Sequence, residues 1–254
     1  MTAIITVRGL FKSFDGRPVL TGLGCAVEKG TITTIMGLSG SGKSVLLKLL
    51  LGLERPDSGS ILLDREDMVS MSGKKVNEVR RRFGVLFQDA ALFDSMSVLE
   101  NVAFPIREHL RLPEAKIREL AEEKLSMVGM RDHQTKFPEE LSGGMRKRVG
   151  MARALALNPE IVFFDEPTSG LDPITRAAIY NLIERTHEKV MGTYLLVSHD
   201  LDGVLEISDE LMMLWEGKIV AKGSPDEIRS SEDPVVRQFV TGSLHGPIDV
   251  EMAH

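Results

Sequence analysis

The residues Gly37-Leu38-Ser39-Gly40-Ser41-Gly42-Lys43-Ser44 decide the fold of this 254-residue chain. An apolar, β-branched run over 31–36 precedes them and a leucine-rich run over 45–53 follows. That order predicts a strand, a phosphate-binding loop and a helix. Glycines permit a tight loop whose backbone N–H groups converge on an anion at the positive end of the helix. The stretch therefore predicts a triphosphate site.

The polar positions of this loop have distinct predicted roles. The Lys43 ammonium would reach the β- and γ-phosphates as a mobile point charge, and the Ser44 hydroxyl would ligate Mg²⁺. The other predicted phosphate-binding positions are Gly37, Ser39, Gly40, Ser41 and Gly42. We thus expect ATP and Mg²⁺ as cofactors. The alternative is an ordinary glycine turn. The complete eight-residue pattern, placed between a strand and a helix, disfavours that alternative.

Acidic residues follow a second apolar run. Asp165 and Glu166 directly follow the apolar stretch 161–164, at the end of a predicted parallel strand. Ligands bind at such strand ends in open α/β sheets. We expect Asp165 to hold the Mg²⁺ shell through water and Glu166 to orient or deprotonate the attacking water. A pair of acids that only begins a helix is the alternative.

Two more polar residues end predicted strands. His199 follows the run 194–198 and is expected beside Glu166, where it would hydrogen-bond the γ-phosphate; a helix cap is the alternative. Gln88 follows the run 83–87, and its amide could ligate Mg²⁺ or bind water without carrying charge. Gln88 would also report the ligand state to the helical region that follows.

A second glycine-rich helix start predicts a second anion site. Ser142 can cap the helix while Gly143 and Gly144 expose its first N–H groups. Since one triphosphate does not need two cradles from one subunit, we predict a head-to-tail homodimer with ATP at the interface, each Ser142 closing over the partner's nucleotide. For the basic residues that follow, we expect a solvated face: Arg146, Lys147 and Arg148.

Composition limits the class of protein. The chain has 43% hydrophobic residues and a formal net charge of −6, which argues against broad binding to nucleic acid. Its single cysteine, Cys25, fits a reducing compartment. Residues 1–20 lack the layout of a signal peptide, and no stretch approaches the roughly 18 apolar residues of a membrane span. If the protein acts at a membrane, we expect other subunits to do the spanning.

The order of strand and helix signals predicts an α/β fold. Residues 1–88 and 160–231 would form the nucleotide-binding core, with a mainly parallel sheet and an N-terminal antiparallel β subdomain. Strand signals nearly vanish over 89–159, which predicts an inserted helical subdomain containing a helix from Pro113 to about Gly129. Residues 232–254 would form a tail that docks on a dimer partner or frays.

Together these motifs resemble the ATP-binding cassette ATPases. The resemblance covers about residues 4–225 and rests on GLSGSGKS at 37–44, Gln88, LSGGM at 141–145, IVFFDE at 161–166, SGLD at 169–172 and His199. It implies a P-loop NTPase (RecA-like) core. It also implies that Phe14 stacks on adenine, with a core strand residue as the alternative, and that Asp172 contacts the opposite protomer. Met145 departs from the glutamine that most members carry.

Three stretches look like the ATPase of bacterial Mla-type phospholipid transporters: LSGGM, the segment 92–105, and Arg237-Gln238-Phe239 near the end. That resemblance implies ATP hydrolysis that powers phospholipid transport, integral membrane permease subunits, and a lipid-binding protein of the mammalian-cell-entry type. It places the chain at the cytoplasmic face of the bacterial inner membrane, as a peripheral subunit. Apolar residues near Gln88 would line the groove for a permease helix or belong to the core: Leu92, Phe93, Met96, Val98 and Phe104.

Other functions are compatible with the same motifs. The chain could power import of a small solute such as an amino acid, or lipoprotein release. It could also be a soluble cassette ATPase of DNA repair, chromosome structure or translation. Those soluble relatives usually carry two cassettes, long coiled-coil insertions or basic extensions, and none is seen here.

Overall fold

Strands and helices alternate along the chain in the computed structural model, which describes residues 2–249. The strands are β1 (Ala3–Phe14), β2 (Arg17–Glu28), β3 (Ile32–Met36), β4 (Ser58–Leu63), β5 (Glu66–Asp67), β6 (Phe83–Leu86), β7 (Ile161–Asp165), β8 (Thr193–Ser198), β9 (Glu210–Trp215) and β10 (Lys218–Gly223). The helices are α1 (Lys43–Leu50), α2 (Gly73–Arg80), α3 (Val98–His109), α4 (Glu114–Met127), α5 (Gly143–Ala154), α6 (Pro173–Val190), α7 (Leu201–Ile207), α8 (Pro225–Arg229) and α9 (Pro234–Thr241). Within residues 2–249, no helix combines the length and the apolar character that crossing a bilayer requires.

These elements divide into two compact units. The loop unit comprises the described residues up to Asn77 and those from Leu195 onward, and the helical unit comprises Glu78–Tyr194. The chain passes from one unit to the other within α2 and again within β8. The subdomain boundaries expected at 88–89 and 159–160 stay a prediction.

The loop unit contains an antiparallel sheet and the strands around the phosphate loop. The antiparallel sheet has the order β2-β1-β4-β5. The other strands have the order β10-β9-β3-β8, in which β9 runs parallel to β3 and antiparallel to β10. All five residues of β3 are buried, as its β-branched sequence predicts. The predicted α/β class with an antiparallel β subdomain is confirmed.

The helical unit pairs β6 with β7 in parallel and contains α3 to α6, of which α5 packs against β6. Leu86 lies opposite Phe164 in this pairing. The predicted helix after Pro113 is confirmed as α4, and Gly129 follows it at φ +71°. The predicted helix start at Ser142 is confirmed as well, since the Ser142 hydroxyl accepts a hydrogen bond from Met145 N–H, 3.3 Å away, at the beginning of α5.

Helices α5 and α6 approach closely at Gly144. A Cβ atom added there would lie 2.5 Å from Cγ2 of Thr175 in the first turn of α6. Gly144 is buried, and a threonine methyl on a helix has little freedom to move away. The missing side chain of Gly144 therefore sets the distance between these helix starts.

We expect Gly144→Ala to lower the free energy of unfolding by about 1–3 kcal/mol, because the new methyl overpacks this contact. Adding Thr175→Ser removes the opposing methyl and should restore part of the loss. Gly73→Ala is the control, since no atom lies within 4 Å of its added Cβ. Urea denaturation of the three variants measures the effect. Equal stability of Gly144→Ala and the parent would contradict the packing argument.

Candidate functional site

The phosphate loop connects β3 to α1 in the loop unit and depends on glycine at two positions. A Cβ on Gly37 would lie 2.5 Å from the Leu214 carbonyl oxygen of β9. Gly42 precedes α1 at φ +99°, and a Cβ there would lie 3.0 Å from Cγ1 of Val19. Larger residues would displace neighbouring backbone or adopt a strained conformation. The two glycines therefore let the loop turn tightly into the start of α1, the end of a helix at which anions bind.

Lys43 lies against the loop that it follows. Its ammonium donates hydrogen bonds to the carbonyl oxygens of Gly37 and Leu38, at 2.9 and 2.8 Å, and the residue is 6% exposed. Ser44, the next residue of α1, is exposed. A cavity of about 610 Å³ adjoins the loop along residues 38–41, which is within the usual size range of ligand pockets.

Phe14 and His199 also belong to the loop unit. Phe14 ends β1 with 42% of its surface exposed, and the Lys12 ammonium lies 4.9 Å from the centroid of its ring. This exposure does not fit the alternative of a core strand residue. His199 follows the fully buried β8 and is exposed. Their predicted contacts with adenine and with the γ-phosphate stay predictions.

Asp165 and Glu166 follow the apolar part of β7, whose residues Ile161 to Phe164 are each 0% exposed. Glu166 adopts a left-handed backbone conformation with φ +47°. Such a conformation costs a non-glycine residue about 1–3 kcal/mol and persists where its surroundings hold it. Its carbonyl oxygen accepts hydrogen bonds from the Ser169 N–H and from the Lys147 ammonium, both at 3.1 Å.

Lys147 hydrogen-bonds both predicted catalytic segments of the helical unit, the one at Gln88 and the one at Glu166. Its ammonium also donates to the Gln88 carbonyl oxygen, and the Gln88 side-chain amide donates to Oγ of Ser169 at 3.4 Å. Burial lowers the pKa of Lys147, an effect that the negative charges of Asp89, Asp165 and Glu166 oppose. The expected solvated basic face is wrong for Lys147, which is 5% exposed because it lies on the same side of α5 as Gly144.

The segment after Gln88 is held by Arg153, which sequence reasoning missed. Ala90 and Ala91 have left-handed backbones, with φ of +59° and +48°. The Arg153 guanidinium donates to both of their carbonyl oxygens at 2.7 Å, and its carbon lies 5.8 Å from the centroid of the Phe93 ring. Burial lowers the pKa of Arg153. Acceptors on the backbone have no residue signature, so only the fold brings these groups together.

Beyond that segment, the apolar residues near Gln88 separate into two kinds. Val98 is 0% exposed and belongs to the core, whereas Phe93 is 42% exposed. The fully buried Asn101 holds the backbone between them, accepting from the Phe93 N–H at 2.8 Å and donating to carbonyl oxygens of 93, 96 and 97.

The remaining predicted site residues lie at helix starts of the helical unit. Ser142 is exposed, Gly143 is half-buried, and Gly144 is buried. Asp172 caps α6, accepting from the N–H groups of Ile174 and Thr175 at 3.1 and 3.0 Å. Hydrogen bonds from Thr175 hold the pKa of Asp172 below its usual value.

Comparison with known proteins identifies the family. The family model described as ABC transporter matches residues 20–169. The chain is 44% identical to the Haemophilus influenzae intermembrane phospholipid transport system ATP-binding protein MlaF, over 96% of this chain and 93% of that protein. It is also 44% identical to the probable ribonucleotide transport ATP-binding protein mkl of Mycobacterium leprae, over 98% of this chain and 72% of that protein.

Solved structures agree with this assignment. A dimeric ATP-binding cassette in a post-hydrolysis state, bound to ADP and Pi, is similar with a TM-score of 0.80 and 28% identity, over 87% of this chain and 98% of that one. The cbiO1 subunit of a Clostridium perfringens ABC transporter complex has a TM-score of 0.84 and 31% identity, over 94% and 95% of the two chains. The chain therefore belongs to the ABC transporter family, as an ATP-binding and ATP-hydrolysing member.

Proposed function

We propose that this ATPase powers phospholipid transport across a bacterial cell envelope through a separate permease. The assignment of phospholipid as the cargo rests on the 44% identity to the Haemophilus phospholipid transport protein over 93% of that protein's length. Ribonucleotide transport is the second candidate, because the mycobacterial relative of that name is equally similar in sequence. The phospholipid assignment is preferred because this chain matches the length of that relative more completely.

ATP is held mainly by the loop unit in this proposal. The backbone of residues 37–42 binds the phosphates, and the Lys43 ammonium exchanges its loop carbonyl oxygens for phosphate oxygens. The exposed ring of Phe14 stacks on adenine, and His199 donates a hydrogen bond to the γ-phosphate.

The residue types proposed to hold Mg²⁺ suit this ion, because Mg²⁺ binds oxygen ligands. Ser44 supplies a hydroxyl, Gln88 an amide oxygen, and Asp165 a carboxylate that acts through water. When bound, Mg²⁺ neutralises negative charge on the phosphates of ATP.

Glu166 is the proposed general base. Its carboxylate accepts a proton from water as the water oxygen bonds to the γ-phosphorus, and the bond from that phosphorus to the β–γ bridging oxygen breaks. ADP and phosphate are the products, and the proton then leaves Glu166 for solvent. Gln88 orients the water or the metal, and its amide is already near Ser169 in the same unit.

Two copies of the chain form the active ATPase in this proposal. Ser142, Gly143 and Gly144 of one copy close over the nucleotide on the Lys43 of the other, and Asp172 lies at the same interface. The dimeric state of the similar cassette bound to ADP and Pi supports this arrangement. ATP binding would close the dimer, and hydrolysis would reopen it.

Permease subunits would dock beside Gln88, at the exposed Phe93 and its neighbours. Asn101 holds residues 93–97 in place, so the permease would meet a preformed surface. We further propose a mammalian-cell-entry-type lipid-binding protein in the assembly and a peripheral location at the cytoplasmic face of the inner membrane. Residues 232–249, with the rest of the tail outside the described residues, are proposed to dock on the dimer partner.

Glu166→Gln should lower the rate of ATP hydrolysis by ~10²-fold or more, since the amide keeps the shape but does not accept the proton. Nucleotide affinity should stay at the parental value, and ATP should hold the variant as a dimer. Phosphate release, nucleotide titration and light scattering measure the three properties. Glu184→Gln makes the same chemical change at an exposed site on α6 and should leave all three unchanged. Parental turnover in Glu166→Gln would remove Glu166 as the base.

The cargo is tested by purifying the chain with the membrane proteins that bind it and reconstituting them in vesicles. We expect ATP-dependent movement of labelled phospholipid, lost with Glu166→Gln, and no uptake of labelled ribonucleotides. Ribonucleotide uptake without lipid movement would overturn the phospholipid assignment. Stimulation by nucleic acid or ribosomes, with no membrane partner, would overturn transport itself.

A further inference from the structure

The buried Lys147 of α5 bonds equivalent positions just beyond the ends of two neighbouring strands, β6 and β7. Gln88 and Glu166 each lie two residues beyond the paired residues Leu86 and Phe164. The Lys147 ammonium donates to the carbonyl oxygens of both, at 3.1 Å for Glu166. The acceptors lie 59 and 19 residues from Lys147 in sequence, so the contact ties together distant parts of the helical unit.

Two hydrogen bonds restrict the carbonyl of Glu166, and with it the backbone from which the Glu166 side chain extends. Glu166 has φ +47°, and the rotation of its own carbonyl fixes the second backbone angle of the same residue. Two donors hold that oxygen, Ser169 N–H and the Lys147 ammonium. Ser169 acts within the local turn, whereas Lys147 acts from another helix. Removing Lys147 therefore frees the carbonyl on one side and lets the turn at Glu166 relax.

A role in packing alone does not explain a charge at position 147. A buried ammonium is costly compared with an apolar side chain of similar length, which would fill the same space. Burial lowers the pKa of Lys147, and the negative charges of Asp89, Asp165 and Glu166 oppose that shift. Lys124 provides a contrast in the same unit: it is 4% exposed, but its ammonium bonds Oδ1 of Asn158 and the neighbouring Glu123.

We propose that Lys147 is a positioning residue for ATP hydrolysis: it fixes the backbone of Glu166 and so directs the carboxylate toward the attacking water. The inference rests on the proposed function, in which Glu166 is the base. Because Ser142 begins the same helix, the direction of the carboxylate is tied to the position of the proposed second phosphate site. Lys147 itself touches no reacting atom.

The test compares Lys147→Met with Lys124→Met in the intact chain. Lys147→Met should lower kcat by about 10-fold to 10²-fold while KM for ATP stays within about two-fold, since an ångström-scale displacement of a reacting group has effects of this size. Lys124→Met removes an equally buried lysine and should leave kcat unchanged. Lys147→Gln keeps an N–H donor for one carbonyl and should lose less activity than Lys147→Met. An equal loss of kcat in Lys124→Met and Lys147→Met would overturn the proposal.

A double variant separates positioning from general weakening. If Lys147 acts through Glu166, adding Lys147→Met to Glu166→Gln should leave the residual single-turnover rate within about two-fold. If Lys147→Met lowers the single-turnover rate of Glu166→Gln by the same factor as it lowers the parental rate, the inference is refuted. If Lys147→Met folds poorly, Lys147→Gln replaces it in the same comparison. If Glu166→Gln alone hydrolyses ATP at the parental rate, the proposed base fails. If Glu166→Gln loses ATP hydrolysis but Lys147→Met keeps the parental kcat, only the positioning role of Lys147 is refuted.

Discussion

The helical unit depends on a buried ammonium that satisfies two strand-end carbonyl oxygens. Lys147 is 5% exposed, and it bonds the backbone of Gln88 and Glu166. A buried charge is tolerated where hydrogen bonds replace water, and backbone carbonyl oxygens need donors for the same reason. The contact therefore meets two requirements at once. One of the two acceptors is the carbonyl oxygen of Glu166, whose backbone is left-handed.

Lys43 and Lys147 make the same kind of hydrogen bonds, but the acceptors lie in different places in the chain. Each ammonium bonds two carbonyl oxygens and each residue is nearly buried. The Gly37 and Leu38 carbonyl oxygens that Lys43 bonds lie only six and five residues away, within its own loop. The acceptors of Lys147 belong to β-strand ends remote in sequence. The first lysine is suited to binding a ligand and the second to fixing backbone.

Sequence patterns predicted the parts of the site that are local in the chain. The loop at 37–44, the acids after β7 and the Ser142 cap each lie between elements whose periodicity is strong. Lys147 was predicted wrongly because its partners are backbone oxygens, which every residue type carries. The left-handed turns at Glu166 and Ala90 have no residue signature either. Helix α9 was missed although Asp233 and Pro234 form a regular start, since it is short and its neighbours are polar.

Position 145 shows how a side chain near the proposed second phosphate site can change while the helix start is preserved. The Ser142 hydroxyl accepts from the backbone N–H of Met145, a group that methionine and glutamine supply equally. The helix start therefore keeps its cap and its free N–H groups whichever side chain follows. In the proposed function ATP is bound through backbone groups and a few charges, so we expect the cargo to depend on surfaces outside the phosphate loop, such as the exposed Phe93.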